Sequence, residues 1–155
     1  MSETATLLRT SSGLELMRAF VAGELPPPPA ASLVGIRIVA AEPGRVTMSL
    51  LPGPEHNNPM ETMHGGMIAT LLDSVMGCAV HTTLAAGRGY TTLEIKVNYL
   101  RAVTASSGEI TAEGKVVQSG RRTAVAEARV TDAAGRLCAT ASTTCLVFDL
   151  AESKP

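Results

Sequence analysis

Between His64 and Leu84 the chain carries one long run of helical periodicity that is apolar nearly all the way round. Ile68, Leu71, Leu72, Val75, Met76, Ala79 and Val80 fall at i, i+3, i+4, i+7 and i+8 spacing. The run is too short and, at Asp73, too polar for a bilayer span, which takes about 20 apolar residues. A helix of this kind must be covered on most sides by the rest of its own chain. With 155 residues, 45% of them hydrophobic, there is material for one core and one such wrapping.

The flanking segments are written as strands. Leu33–Ala41 and Arg45–Leu51 surround the turn Glu42-Pro43-Gly44 before the helix. After it, Leu93, Ile95, Val97 and Tyr99 alternate with Glu94, Lys96 and Asn98. Ile110–Gln118 and Thr123–Thr131 form a hairpin pair around Ser119-Gly120-Arg121-Arg122, and Leu137–Phe148 is the last strand. Ahead of these, Ser12 and Glu15 have capping-box spacing and open a short helix ending near Gly23, with Leu14, Met17, Phe20 and Val21 on one face. Pro26 to Pro29 predicts a stiff extended connector. The expected fold is α+β: an antiparallel sheet of about six strands wrapped around one long apolar helix. The expected division is residues 1–30 for the N-terminal helix and connector, 31–150 for the domain and 151–155 for a polar tail.

Several function classes are excluded or unsupported. Net charge is −1 and aromatic residues make up 3%, which gives neither the basic excess nor the stacking platform of a nucleic-acid binder. The N-terminus lacks the basic start and apolar stretch of a secretory signal. Three cysteines without a CxxC pair read as reduced thiols, so a cytoplasmic protein is expected. No G-x-S-x-G, G-x-x-x-x-G-K-[ST] or H-E-x-x-H is present, and Gly87-Arg88-Gly89 lacks the third glycine of a dinucleotide fingerprint. His56, His64 and His81 are too scattered for a zinc site, so no metal is expected.

The chemistry concentrates at the start of the long helix. His64-Gly65-Gly66 places two glycines where first-turn N–H groups lack intrahelical partners and carry the positive end of the helix dipole. Such groups polarise a carbonyl oxygen that turns into an oxyanion. Asp73 is the lone acid in the middle of that apolar helix. It must face a partner, water or a cavity, because an unpaired buried carboxylate is costly.

His64-Gly65-Gly66 with Asp73, then the block Thr92 to Arg101, then Gln118-Ser119-Gly120-Arg121-Arg122 and Asp132 to Ala139, together resemble the phenylacetyl-CoA (PaaI-type) thioesterases of the hotdog fold. The likeness spans about Leu33 to Val147. It implies metal-free and cofactor-free hydrolysis of an acyl-CoA thioester, with CoA as part of the substrate. Asp73 would be general base or nucleophile, Gly65 the oxyanion donor, and Asn58 the side chain that positions water or thioester. His64 would line the site, and Thr92 would supply a hydroxyl for the water. Tyr99 and the turn Gln118, Ser119, Gly120, Arg121, Arg122 and Thr123 would hold CoA, the two arginines serving as phosphate partners or as an ordinary solvated turn. Relatives often carry Gly three residues before the histidine, where this chain has Glu61.

Gly65 and Asp73 are eight positions apart, about 12 Å along a helix, too far to share one thioester carbon. Two antiparallel helices across a two-fold axis would bring Gly65 of one subunit to Asp73 of the other. The resemblance likewise implies homodimers with shared active sites, paired into tetramers; the composition and the short apolar run predict no nucleic-acid or membrane partner. Two alternatives stay open: a non-catalytic acyl-CoA-binding or regulatory module, and an acyl-thioester dehydratase or hydratase pairing His64 with Asp73.

Overall fold

The structure is a computed structural model that describes residues 3–150; the tail assigned to residues 151–155 lies outside them. Helices α1 (Glu3–Thr10), α2 (Gly13–Val21) and α3 (Pro29–Val34) precede strands β1 (Ile36–Glu42) and β2 (Arg45–Leu50). The long helix α4 (Gly65–His81) follows, then β3 (Arg88–Tyr99), β4 (Ile110–Ser119), β5 (Thr123–Thr131) and β6 (Leu137–Asp149). All strands join one antiparallel sheet in the order β1-β2-β4-β5-β6-β3. This is the expected hotdog architecture, with α4 packed against the sheet.

Every apolar position predicted for the inner side of α4, from Ile68 to Val80, is buried to 3% exposure or less. Each of these side chains larger than Ala79 contributes about 1.5–3 kcal/mol through removal from water. The helix backbone also comes directly onto the sheet at Gly114 of β4. A Cβ there would stand 2.5 Å from the Val75 carbonyl oxygen, so only glycine permits the approach.

The N-terminal region departs from expectation in three places. The capping box of α2 forms as read, with Glu15 Oε2 accepting from the Ser12 N–H at 2.8 Å. Its buried side, however, centres on Leu16 and Met17, while Val21 is 39% exposed. The extended connector stops at Pro28, because Pro29 opens α3 and Gly35 closes it in the left-handed region at φ 78°. Leu33 and Val34 therefore belong to a helix and not to β1. Helix α1, which the pattern did not announce, rests Leu7 and Leu8 on the Leu16–Met17–Leu25 cluster.

The alternation in β3 is also broken. Thr92 pairs with Cys145 and Glu94 with Thr144, so Leu93 is the extra residue of a β-bulge; it is 57% exposed. Tyr90 precedes the bulge and Ile95 and Val97 follow it, yet all three pack against the core. A continuous strand with Ile95 and Val97 inward would turn Thr92 away from α4. The bulge is what turns Thr92 toward the helix.

Candidate active site

Two groups of the expected site residues form, one at the start of α4 and one about its middle. At its start, His64 is the N-cap, and its Nδ1 accepts the Gly66 N–H at 2.9 Å. The His64 carbonyl takes the N–H groups of Met67 and Ile68. That leaves the Gly65 N–H as the first-turn donor without a partner among the described residues. Tyr99, at the end of β3, donates its hydroxyl to the Gly65 carbonyl at 2.8 Å and lays its ring over Gly65. The residue expected to touch CoA thus also clamps the helix start.

The loop before the helix is closed by Asn58. Its Oδ1 accepts the Met60 N–H at 2.9 Å, and its Nδ2 donates to Thr62 Oγ1 at 2.9 Å. One amide hydrogen of Asn58 is left over by this arrangement. The turn also places Glu61 at φ 58°, the left-handed region that glycine occupies without cost. The glycine that the family resemblance puts at this place would sit there without strain, whereas Glu61 takes up that backbone with its side chain exposed. Buried His56 supports the loop from below: its Nδ1 accepts the Gly53 N–H, and its Nε2 lies 2.9 Å from the Val34 carbonyl, which it meets as donor.

Two turns further along α4, half-buried Asp73 accepts a hydrogen bond from Thr92 Oγ1 on its Oδ1 at 2.8 Å. The second carboxylate oxygen is left for another partner. Burial pushes the neighbouring Cys78 thiol up to about 12, and raises Cys145 and Tyr90 as well. These neighbours are therefore neutral at ordinary pH, and neither thiol is present as a nucleophilic thiolate. Asp73 and Thr92 open onto a cavity of about 460 Å³.

The β4–β5 turn lies beyond Asp73, toward the C-terminal end of α4. Ser119 meets Thr83, just past α4, at 2.9 Å, and the Arg121 carbonyl accepts from Arg88 at the start of β3. Thr123 pairs with Leu146, which pairs with Thr91. Tyr99 is eight residues further along β3, about 26 Å away at strand rise. One chain therefore does not bring Tyr99, Gly65, His64 and Asn58 together with Asp73, Thr92 and residues 118–123. Among the described residues no His, Cys, Asp or Glu cluster is arranged to hold a metal ion, and no helix is long and apolar enough to cross a membrane.

A family model described as the thioesterase superfamily matches residues 60–139, the stretch from the Asn58 loop through α4 and into β6. The chain belongs to that superfamily. Acyl-coenzyme A thioesterase 13 of Homo sapiens is 32% identical over 106 residues, covering 67% of this chain and 74% of the relative. A phenylacetic acid degradation-related protein of Ralstonia eutropha superposes with a TM-score of 0.76 at 27% identity, over 84% of this chain and 98% of that one. The protein smu.793 of Streptococcus mutans, solved bound to acetyl CoA, superposes with a TM-score of 0.68 at 28% identity, over 76% and 91%. The PaaI-type resemblance read from the HGG and Asp73 blocks holds, and the protein is a thioester hydrolase.

Sequence reasoning passed over one feature of this site. His81, weighed only as a metal ligand, lines the same cavity as Asp73. Its single sequence signal is that it is a polar residue ending an apolar helix.

Proposed function

We propose that the protein hydrolyses an acyl-CoA thioester to the free acid and CoA, at sites shared between two subunits. The observation that carries this is the pairing of a Thr92-held Asp73 carboxylate with an unpartnered Gly65 N–H on the same helix, too far apart to serve one thioester. A two-fold axis beside Ala69 of α4 sets Gly65 of one subunit against Asp73 of the other. Because α4 runs antiparallel to β3, with Tyr99 at Gly65 and Thr92 at Asp73, that axis also passes near Ile95. Antiparallel pairing of the two β3 edges about Ile95 puts Tyr99 of one chain opposite Thr91 of the other, and so near its β4–β5 turn. One operation thus unites both divided groups, which supports the dimer.

In this arrangement the Gly65 N–H donates a hydrogen bond to the thioester carbonyl oxygen, which carries the developing negative charge. Asp73 takes a proton from water as the water oxygen attacks the carbonyl carbon; the C–S bond then breaks, and Asp73 returns that proton to the sulfur so that CoA leaves as the thiol. Attack by the carboxylate itself, followed by hydrolysis of the anhydride, uses the same contacts. Asn58 and His64 border the site from the Gly65 side, and Arg121 and Arg122 meet the CoA phosphates. No metal or cofactor enters this scheme. The three free thiols, Cys78, Cys138 and Cys145, are in keeping with a cytoplasmic enzyme, and pairing of dimers into tetramers is carried by the family resemblance alone.

The test is release of free CoA, read with a thiol reagent, from a panel of acyl-CoAs by the parent and by Asp73→Asn. The variant should fold and bind CoA while turnover drops about a hundredfold or more. Turnover within a few-fold of the parent would remove Asp73 from the chemistry. Binding without any CoA release from the parent would favour the non-catalytic module, and consumption of an enoyl thioester without CoA release would favour the hydratase.

A further inference from the structure

The cavity that begins at Asp73 and Thr92 runs toward the far end of α4, where Tyr90, Phe148, Leu8 and His81 line it. Its volume of about 460 Å³ lies in the range of small-molecule sites, roughly 300–1,000 Å³. His81 is 5% exposed, and neither of its ring nitrogens has a hydrogen-bond partner among the described residues. Its ring lies against Tyr90, with centroids 5.7 Å apart. Buried polar atoms are nearly always paired, because leaving one unpaired is costly. This chain pairs both nitrogens of its other buried histidine, His56, with backbone groups. His81 differs in bordering a cavity.

We propose that this cavity receives the acyl group of the thioester and that His81 determines specificity by hydrogen-bonding a hydroxyl at the far end of that group. The inference rests on the reading of Asp73 as the group that acts at the thioester. Lengths agree with it. Asp73 and His81 are eight positions apart, about 12 Å of helix rise. A contact of roughly 3 Å at each end leaves about 6 Å, the span of one aromatic ring or a short aliphatic chain.

The chemistry of the lining selects the substituent. Burial holds the imidazole of His81 below its ordinary range, outweighing the pull of the helix C-terminus toward the cation. A neutral imidazole offers one donor and one acceptor. A hydroxyl can bond to whichever nitrogen it meets. A carboxylate needs a cation, and no lysine or arginine lines the cavity. A plain alkyl or phenyl end would leave both nitrogens unpaired.

Matched substrates test this: benzoyl-CoA against para-hydroxybenzoyl-CoA, and hexanoyl-CoA against ω-hydroxyhexanoyl-CoA. In the parent, kcat/KM should favour the hydroxylated member of at least one pair by about tenfold or more. His81→Phe, which keeps a ring beside Tyr90, should bring that ratio close to one, and His81→Gln should keep part of it. Circular dichroism reports folding of both, and either folded variant is enough to decide. Calorimetry with the four free acids reads the same preference without turnover. Equal kcat/KM within both pairs together with equal binding of the acids overturns the assignment, as does an unchanged ratio in His81→Phe. Hydroxyl-selective, His81-dependent binding without CoA release supports the pocket and overturns the thioesterase reading instead.

Discussion

Replacing Thr92 with Val removes one hydroxyl and little volume, and the structure says what that hydroxyl does. It donates to Asp73 Oδ1 at 2.8 Å from a position that the Leu93 bulge turns toward α4. A hydrogen bond to a charged group in a partly buried site contributes about 1.5–3 kcal/mol. If that energy holds the carboxylate in its working rotamer, its loss lowers kcat by about 10- to 150-fold, at about 1.4 kcal/mol per factor of ten. KM should change little, because Thr92 contacts the carboxylate and not the CoA portion. Thr92→Ser keeps the donor and should remain within a few-fold of the parent. The assay is steady-state CoA release, with thermal melting to confirm that both variants fold. Full kcat in a folded Thr92→Val would refute the claim that this bond orients Asp73.

Three further outcomes follow from separate parts of the molecule. Glu61→Gly should raise Tm by about 1–4 °C, because relief of roughly 1–2 kcal/mol of left-handed strain exceeds the entropic cost of glycine; Glu61→Ala should give no such gain, and equal melting of the two would argue against strain. Substituting Ala at both Arg121 and Arg122 should raise KM for acyl-CoA with kcat largely kept, and the effect should shrink with added salt; an unchanged KM at low salt makes them an ordinary solvated turn. Because His81 sits below its ordinary value of 6.5 in the folded protein, the unfolded chain binds the extra proton first. Its contribution to stability is therefore flat above pH 6.5 and declines below it, by up to about 1.4 kcal/mol per pH unit, and denaturant melts of His81→Gln should show a shallower acid slope than the parent.

The parts of this fold that were legible in the sequence are those where one local pattern has one structural solution. The period of α4 names its buried residues because nothing interrupts it, and a single acid in an apolar helix marks Asp73 for the same reason. The Ser12–Glu15 box is a complete local circuit and forms as read. The bulge at Leu93 was not legible, since an apolar residue in an alternating run carries no sign that it will be left over by pairing with β6. Without the bulge there is no way to know which way Thr92 points, so its bond to Asp73 was hidden too. Helix α3 had its signal, Pro29 at the start and Gly35 past the end, but the preceding prolines read equally as a connector. His81 was hidden for a different reason: its unpaired nitrogens are a property of what surrounds them in three dimensions.

The shared site is tested most directly by complementation between subunits. Asp73→Asn removes the carboxylate. Gly65→Pro removes the N–H proposed as oxyanion donor at a place where proline fits, since Gly65 is the first helical residue and His64 before it has φ −60° and ψ 134°. The Tyr99 ring, which a Cβ would approach to 3.2 Å, has to shift slightly, so a native-like dimer must be verified by sizing and circular dichroism. Each variant alone should be inactive. Refolded together, a mixed dimer has one site with both lesions and one with neither, so activity should return to about half that of the parent per mixed dimer. Well-folded mixed dimers as inactive as both parents would contradict a site built from two chains.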